Sequence, residues 1–193
     1  MSNYIATISK EELEKLPKAA FPGQIIVVDS SEQIAEACQY LSQFEQIGFD
    51  TESRAVFQKG VVNKISLLQL STPERCYLFR LCRIRLDKAI LKILENPNIR
   101  KIGLATNGDL KELHTLRKFR ARNFIDLQTI VGDYGIQELG LTKISAIVLG
   151  QRVAKAQRLS NWEALQLTEA QQLYAATDAW ICSCIYDKLT SEQ

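Results

Sequence analysis

Hydrophobic and polar positions follow two different patterns along the chain, one before residue 81 and one after it. Segments 25–28, 47–50, 61–70 and 76–81 carry the short alternating or β-branched apolar runs that are typical of strands. The last three segments follow one another without an intervening helical pattern. The sequence therefore predicts that they form an antiparallel meander.

After residue 81, strand patterns alternate with helix patterns. Helices are predicted over 86–94, 107–119, 141–149 and 168–188, with short strands at 101–105 and 124–127. A meander followed by such alternation predicts an α/β fold with a mixed sheet of five to six strands flanked by helices. No GxGxxG follows any of these strands, so the dinucleotide-binding fold is not indicated.

The first 24 residues are predicted to be an N-terminal appendage. Ser9 and Glu12 have the spacing of a capping box, which predicts a short helix ended by "FPG". Residues 25–189 are predicted to form the core, and 1–193 a single domain, because this length suits one domain.

Composition excludes some function classes. The chain is 46% hydrophobic and 24% charged with a net charge of +2, values that are ordinary for a soluble protein and neither favour nor exclude a nucleic-acid partner. No apolar run reaches the ~18 residues of a membrane helix, so no membrane partner is expected. The five cysteines lack CxxC spacing, which indicates reduced thiols in a cytoplasmic protein.

Acidic residues occur where strands and helices rarely carry them. In "IGFDTES", Asp50 and Glu52 end an apolar strand and, two residues apart, project to one side of the sheet. Asp109 comes just after the predicted strand "KIGLA", in the first turn of the following helix, and Asp178 lies inside a helix, four residues after Tyr174. Taken alone, Asp109 could complement a helix dipole, and a Tyr174–Asp178 hydrogen bond could be structural.

Taken together, the four acids predict a metal site. Clustered carboxylates bind hard divalent cations such as Mg²⁺ or Mn²⁺. Two such ions ~3.5–4 Å apart serve phosphoryl transfer, because one activates water while the other stabilises the leaving oxygen.

Three short motifs resemble those of a known family. "FDTES", "NGDL" and "YAATDA" resemble motifs I, II and III of the DEDD superfamily of 3′–5′ exonucleases, in the branch that has Tyr four residues before the last Asp. Within that branch, "KISLLQLSTPERCYLF" and "SNWEALQLTEAQQLYAATDAW" resemble the exonuclease domain of the Werner syndrome protein and, more distantly, ribonuclease D. The resemblance runs from about Ile25 to Leu189 and implies a ribonuclease H-like fold.

The resemblance also implies a role for each motif residue. Asp50 would bridge two Mg²⁺ or Mn²⁺ ions, Glu52 and Asp178 would complete the shell of one, and Asp109 would hold the other through water. Tyr174 would orient the attacking water. The implied partner is nucleic acid with a free 3′-hydroxyl end, from which nucleoside 5′-monophosphates are released. The Werner-type resemblance favours DNA over RNA. The alternatives are an inactive nucleic-acid-binding module and a ribonuclease D-like RNA-trimming enzyme.

Substrate contacts are predicted from charge and exposure. The run "QRVAKAQR" carries Arg152, Lys155 and Arg158 without an acid, as expected of a loop that contacts phosphates, although such charges can also serve solubility alone. A second basic region, 100–122, has seven Lys or Arg residues against two acids. Further candidates are Phe57 for stacking, and the Thr51 amide and the Leu110 side chain for the terminal nucleotide.

Overall fold

A computed structural model of the protein describes residues 4–54 and 64–191. In this part of the chain, six strands form one sheet in the order β1-β4-β3-β2-β5-β6. The strands are β1 (Gln24–Val28), β2 (Gln46–Ser53), β3 (Ile65–Ser71), β4 (Arg75–Phe79), β5 (Arg100–Gly103) and β6 (Phe124–Asp126). The predicted mixed sheet is confirmed.

The predicted meander is confirmed by the register of the central strands. β2 pairs with β3 and β3 with β4, both antiparallel. The remaining contacts are parallel: β1 joins β4, β5 joins β2, and β6 joins β5. β2 therefore lies inside the sheet, runs in the same direction as β5 and extends beyond its carboxyl end.

Helices cover both faces of the sheet. They are α1 (Lys10–Lys15), α2 (Ser31–Leu41), α3 (Leu81–Ile84), α4 (Lys88–Leu94), α5 (Thr106–Leu116), α6 (Leu127–Ile130), α7 (Leu141–Leu149) and α8 (Glu169–Ser191), and a 3₁₀ turn spans Val131–Tyr134. The third meander strand was predicted too long, because the chain leaves the sheet after Phe79 and turns into α3. Among the residues that the structure describes, no helix is long and apolar enough to cross a membrane.

The long helix α8 packs directly on the central strands. A side chain at Gly48 of β2 would overlap the carbonyl of Ala179, so only glycine allows this close approach. Ala175 and Ala176 of α8 are buried in the same layer, and their small side chains keep the helix near the sheet. Helices α2 and α4 cover the opposite face.

The N-terminal segment packs against the rest of the chain. Ser9 and Glu12 form the predicted capping box. Ala19 and Phe21 are buried, and the Phe21 amide donates to the Thr177 hydroxyl of α8. Residues of this segment thus contribute to the layer that holds α8.

Candidate active site

Three carboxyl groups converge at the carboxyl end of β2. Asp50 and Glu52 project from β2, as their spacing predicts, and Asp178 reaches them from α8. One oxygen from each lies within 4.8 Å of the others. Glu52 and Asp178 are 9% and 7% exposed, so this carboxylate cluster is largely shielded from water.

Asp109 lies beside the cluster, in the first turn of α5. The Thr51 hydroxyl donates to Asp109 Oδ1 at 2.5 Å, which ties α5 to β2. At the end of β6, Asp126 accepts the backbone amides of Ala105 and Thr106 at 2.8 and 2.9 Å, and so fixes the start of α5. Sequence reasoning missed Asp126, although an aspartate at the end of "FID" just before a helix is a capping signal.

Tyr174 lies one helical turn before Asp178, and burial followed by the charge of Asp178 raises the pKa of its phenol above the ordinary value. The Tyr174 ring packs on Trp162 with the ring centroids 6.1 Å apart. Trp162 is 0% exposed, so it is a core residue. The indole therefore supports one side of the phenol while the hydroxyl faces the cluster.

Burial and mutual repulsion disfavour the ionised form of the carboxyl groups at this site. Burial, followed by the charges of Asp178, Glu52 and Asp109, raises the pKa of Asp50 well above its ordinary value. Burial and the nearby acids raise the pKa of Glu52 to about 9, although the positive charge of Arg158 opposes this. Burial also raises the pKa of Asp178 to about 7 and that of Asp109 to about 6.

The donor set fits hard divalent cations. Asp178 Oδ1 is buried and has no hydrogen-bond partner in the described part of the chain. The ligand atoms that Asp50, Glu52 and Asp178 bring together are carboxylate oxygens, which are the ligands that Mg²⁺ and Mn²⁺ prefer. Asp50, Glu52 and Asp178 could hold a divalent ion, and Asp109 lies beside them.

The three basic residues of "QRVAKAQR" occupy different environments. Arg158 is exposed, and its charge acts on Glu52, so it lies near the cluster. Lys155 is also exposed. Arg152 is half-buried, and its guanidinium donates to the Leu16 carbonyl, which makes it an anchor for the N-terminal segment.

The other substrate candidates differ in how far the structure describes them. The Thr51 amide donates to Asp50 Oδ1 at 2.9 Å, so it orients a cluster carboxylate. Leu110 follows Asp109 in α5 and is half-buried at the edge of the core. Phe57 lies outside the described residues.

The basic region 100–122 is not one continuous surface. Lys101 is fully buried and donates to the carbonyls of Asn96 and Ile99. The Arg117 guanidinium donates to the Leu86 carbonyl. Such residues support loops, so the local excess of positive charge overstates the charge available to a ligand.

The fold and the site together define a class of protein. The strand order of the mixed sheet is typical of a ribonuclease H-like domain. The carboxylates clustered at the carboxyl end of β2 suit divalent cations. A profile of the 3′–5′ exonuclease family matches residues 25–193. The chain belongs to this 3′–5′ exonuclease family.

Two curated relatives carry the same activity in their names. The bifunctional 3′–5′ exonuclease/ATP-dependent helicase WRN of Mus musculus is 34% identical over 197 residues, which cover 95% of this chain and 14% of that protein. Exonuclease 3′–5′ domain-containing protein 2 of Drosophila melanogaster is 34% identical over 158 residues, covering 80% of this chain and 27% of that protein. The chain thus spans about a quarter or less of the length of these relatives.

A solved structure shares the fold. Escherichia coli RNase D, described as an exoribonuclease involved in structured RNA processing, aligns with a TM-score of 0.77 and 27% identity. The alignment covers 88% of this chain and 44% of that one. The sequence-based assignments to the exonuclease superfamily and to the ribonuclease H-like fold are confirmed.

Proposed function

We propose that this protein is a metal-dependent 3′–5′ exonuclease that releases nucleoside 5′-monophosphates from the 3′ end of nucleic acid. The observation that carries the proposal is the convergence of Asp50, Glu52 and Asp178 within 4.8 Å, with Asp109 adjacent. The reaction is inferred from the family to which the chain belongs, and the carboxylate cluster provides ligands for the metal ions that this reaction would use.

The carboxylates would hold two divalent cations, Mg²⁺ or Mn²⁺. Asp50 would contact both, Glu52 and Asp178 would complete one shell, and Asp109 would hold the second ion. When bound, such ions lower the pKa of water and stabilise negative charge on the leaving oxygen.

The remaining residues of the site would position the reactants. Tyr174 would orient the attacking water through its hydroxyl, held in place by the Trp162 ring. Water adds to the terminal phosphorus as the bond from phosphorus to the 3′ oxygen of the preceding nucleotide breaks. That oxygen leaves with a proton as a new 3′-hydroxyl. Arg158 and Lys155, both exposed, would contact phosphates of the incoming strand.

DNA is the proposed preferred substrate. The Werner-type relative is more similar in sequence, at 34% identity, than E. coli RNase D at 27%. RNA is the second candidate, because the solved neighbour is an exoribonuclease. The two substrates differ by a 2′-hydroxyl, which a protein can recognise through a single contact.

A gel assay with DNA and RNA oligonucleotides of one sequence, labelled at the 5′ end, tests the proposal. We expect a ladder that shortens from the 3′ end, disappears with chelator, and disappears in the Asp50→Ala protein. Faster loss of DNA would support the substrate preference, and faster loss of RNA would support the second candidate. Binding of both strands without shortening under any metal would instead identify an inactive binding module.

A further inference from the structure

Gln69 is a polar residue buried in the middle of β3. Its side chain is 0% exposed. Within the part of the chain that the structure describes, neither its Oε1 nor its Nε2 has a hydrogen-bond partner. Burying an unpaired amide is unfavourable, so this residue requires an explanation.

The register of the sheet places Gln69 directly opposite Asp50. The two residues are Cα partners in the antiparallel β2–β3 pair. Side chains of directly opposed residues lie on the same face, with Cβ atoms about 4.5–5.5 Å apart. Gly48, two residues before Asp50, contacts Ala179, so this is the face that α8 covers.

The surroundings of Gln69 on this face are apolar. Leu67 lies two residues before it on the same strand, and Leu78 is its partner on β4. Both leucines are buried in a cluster with Trp162 and Ala175. A methionine or leucine at position 69 would suit this environment better than an amide. The amide therefore disfavours the metal-free fold and needs a compensating interaction in the working state of the site.

We propose that Gln69 is a positioning residue for Asp50, an inference that rests on the proposed function. With cations held by the cluster, the Gln69 amide donates to the Asp50 carboxylate and fixes its orientation. The Thr51 amide already donates to Asp50 Oδ1 from the backbone side. Each carboxylate oxygen has two acceptor sites, so Asp50 can bind cations and accept both N–H groups.

The test compares Gln69→Met with Leu78→Met, a change of similar size at the neighbouring buried position. Mn²⁺ binding is measured by titration calorimetry, and the melting temperature is measured in chelator. We expect Gln69→Met to melt in chelator at the wild-type temperature or above it. Its Mn²⁺ affinity should fall about tenfold or more, the usual effect of losing a partner of a metal ligand. Leu78→Met should bind Mn²⁺ like the wild type.

Other outcomes overturn one claim or the other. Wild-type Mn²⁺ affinity in Gln69→Met, or in Gln69→Leu if the methionine variant does not fold, overturns the role of Gln69. Failure of both variants to fold also overturns it, because the amide would then be needed by the fold itself. Failure of the wild type to bind Mn²⁺ or to shorten DNA or RNA would instead overturn the proposed function.

Discussion

At the scale of single residues, the carboxylate cluster lowers the stability of the metal-free fold. Asp50 and Glu52 lie on one face of the sheet, and Asp178 reaches them from α8, which packs on that face. Burial raises the pKa of all three carboxyl groups. Like charges held this close are unfavourable unless cations lie between them. The same repulsion that lowers the stability of the metal-free protein therefore favours the binding of divalent ions.

Replacing Asp50 by Asn should separate these two effects. The variant loses a charge but keeps the shape, so in chelator at neutral pH it should gain about 1 kcal/mol and melt about 2–4 °C higher than the wild type. Exonuclease activity should fall by orders of magnitude, because the acids act as a unit. Thermal melts and the gel assay measure the two quantities. A variant less stable than the wild type in chelator would contradict the account.

Stability of the metal-free protein should depend on pH in a defined direction. Glu52, Asp178 and Asp109 have pKa values raised to about 9, 7 and 6. The unfolded chain has carboxyl pKa values near 4, so the folded state binds more protons in the interval between. This contribution is fully present below about pH 4 and is lost as the pH rises through the folded values.

In chelator, the melting temperature should therefore decrease from about pH 6 to about pH 9, the interval that the pKa values of Asp109 and Glu52 span. The Asp50→Asn protein should show a shallower decrease, since one source of repulsion is gone. Melts across this range in several buffers provide the measurement. A melting temperature that rises with pH would be incompatible with the raised values.

Tyr174→Phe tests orientation of water rather than metal binding. The substitution keeps the ring on Trp162 and removes only the hydroxyl that faces Asp178. We expect kcat to fall roughly a hundredfold, the lower end for a positioned polar group, while Mn²⁺ affinity stays near that of the wild type. Equal losses in metal affinity and in kcat would show that the hydroxyl acts on the cluster instead.

At the scale of elements, the close contact between α8 and β2 sets the position of Asp178. Gly48→Ala should push α8 away from the sheet, because the new methyl group overlaps the Ala179 carbonyl. The free energy of unfolding should fall by about 3 kcal/mol, the upper part of the usual range for overpacking. Exonuclease activity should fall as well, because Asp178 is displaced.

Gly132→Ala is the matched control for this substitution. A side chain there meets nothing within 4 Å, and the change should be neutral or stabilise by up to about 1 kcal/mol. Urea denaturation measures both variants. If Gly48→Ala proved as stable and active as Gly132→Ala, close packing of α8 would not be what places Asp178.

Some elements of the site were predictable from sequence and others were not. Period-two spacing predicted the joint projection of Asp50 and Glu52, since the period of a strand is fixed by its backbone. The unpaired amide of Gln69 was not predictable, because it depends on which strand lies opposite. The third meander strand was predicted to reach residue 81, but it ends at Phe79, where the Arg80 amide donates to the Val28 carbonyl of the edge strand.

At the scale of the whole molecule, the change from meander to alternation sufficed to predict the mixed sheet. What the sequence pattern did not provide was the position of β1, which pairs in parallel with β4 at the edge. Nor did it show that Ala19 and Phe21 are buried in the layer with α8. Both depend on long-range packing, which local periodicity does not encode.

Divalent cations should stabilise the whole domain. An ion that binds only the folded state adds stability that grows with its concentration, about 2.7 kcal/mol at a hundredfold excess over Kd. We expect Mn²⁺ to raise the melting temperature of the wild type by several degrees and to leave Asp50→Asn almost unchanged. Equal shifts in both proteins would place the ion elsewhere.

The measurement that tests the central claim most directly is the analysis of the first product released in H₂¹⁸O. A 5′-labelled DNA strand is incubated with the protein and Mn²⁺, and the released nucleotide is analysed by mass spectrometry. We expect the 3′-terminal nucleoside 5′-monophosphate carrying one ¹⁸O atom on its phosphate, and none of it in chelator or with Asp50→Asn. Release of a nucleoside 3′-monophosphate, of an internal fragment, or of the same product without metal would contradict the account.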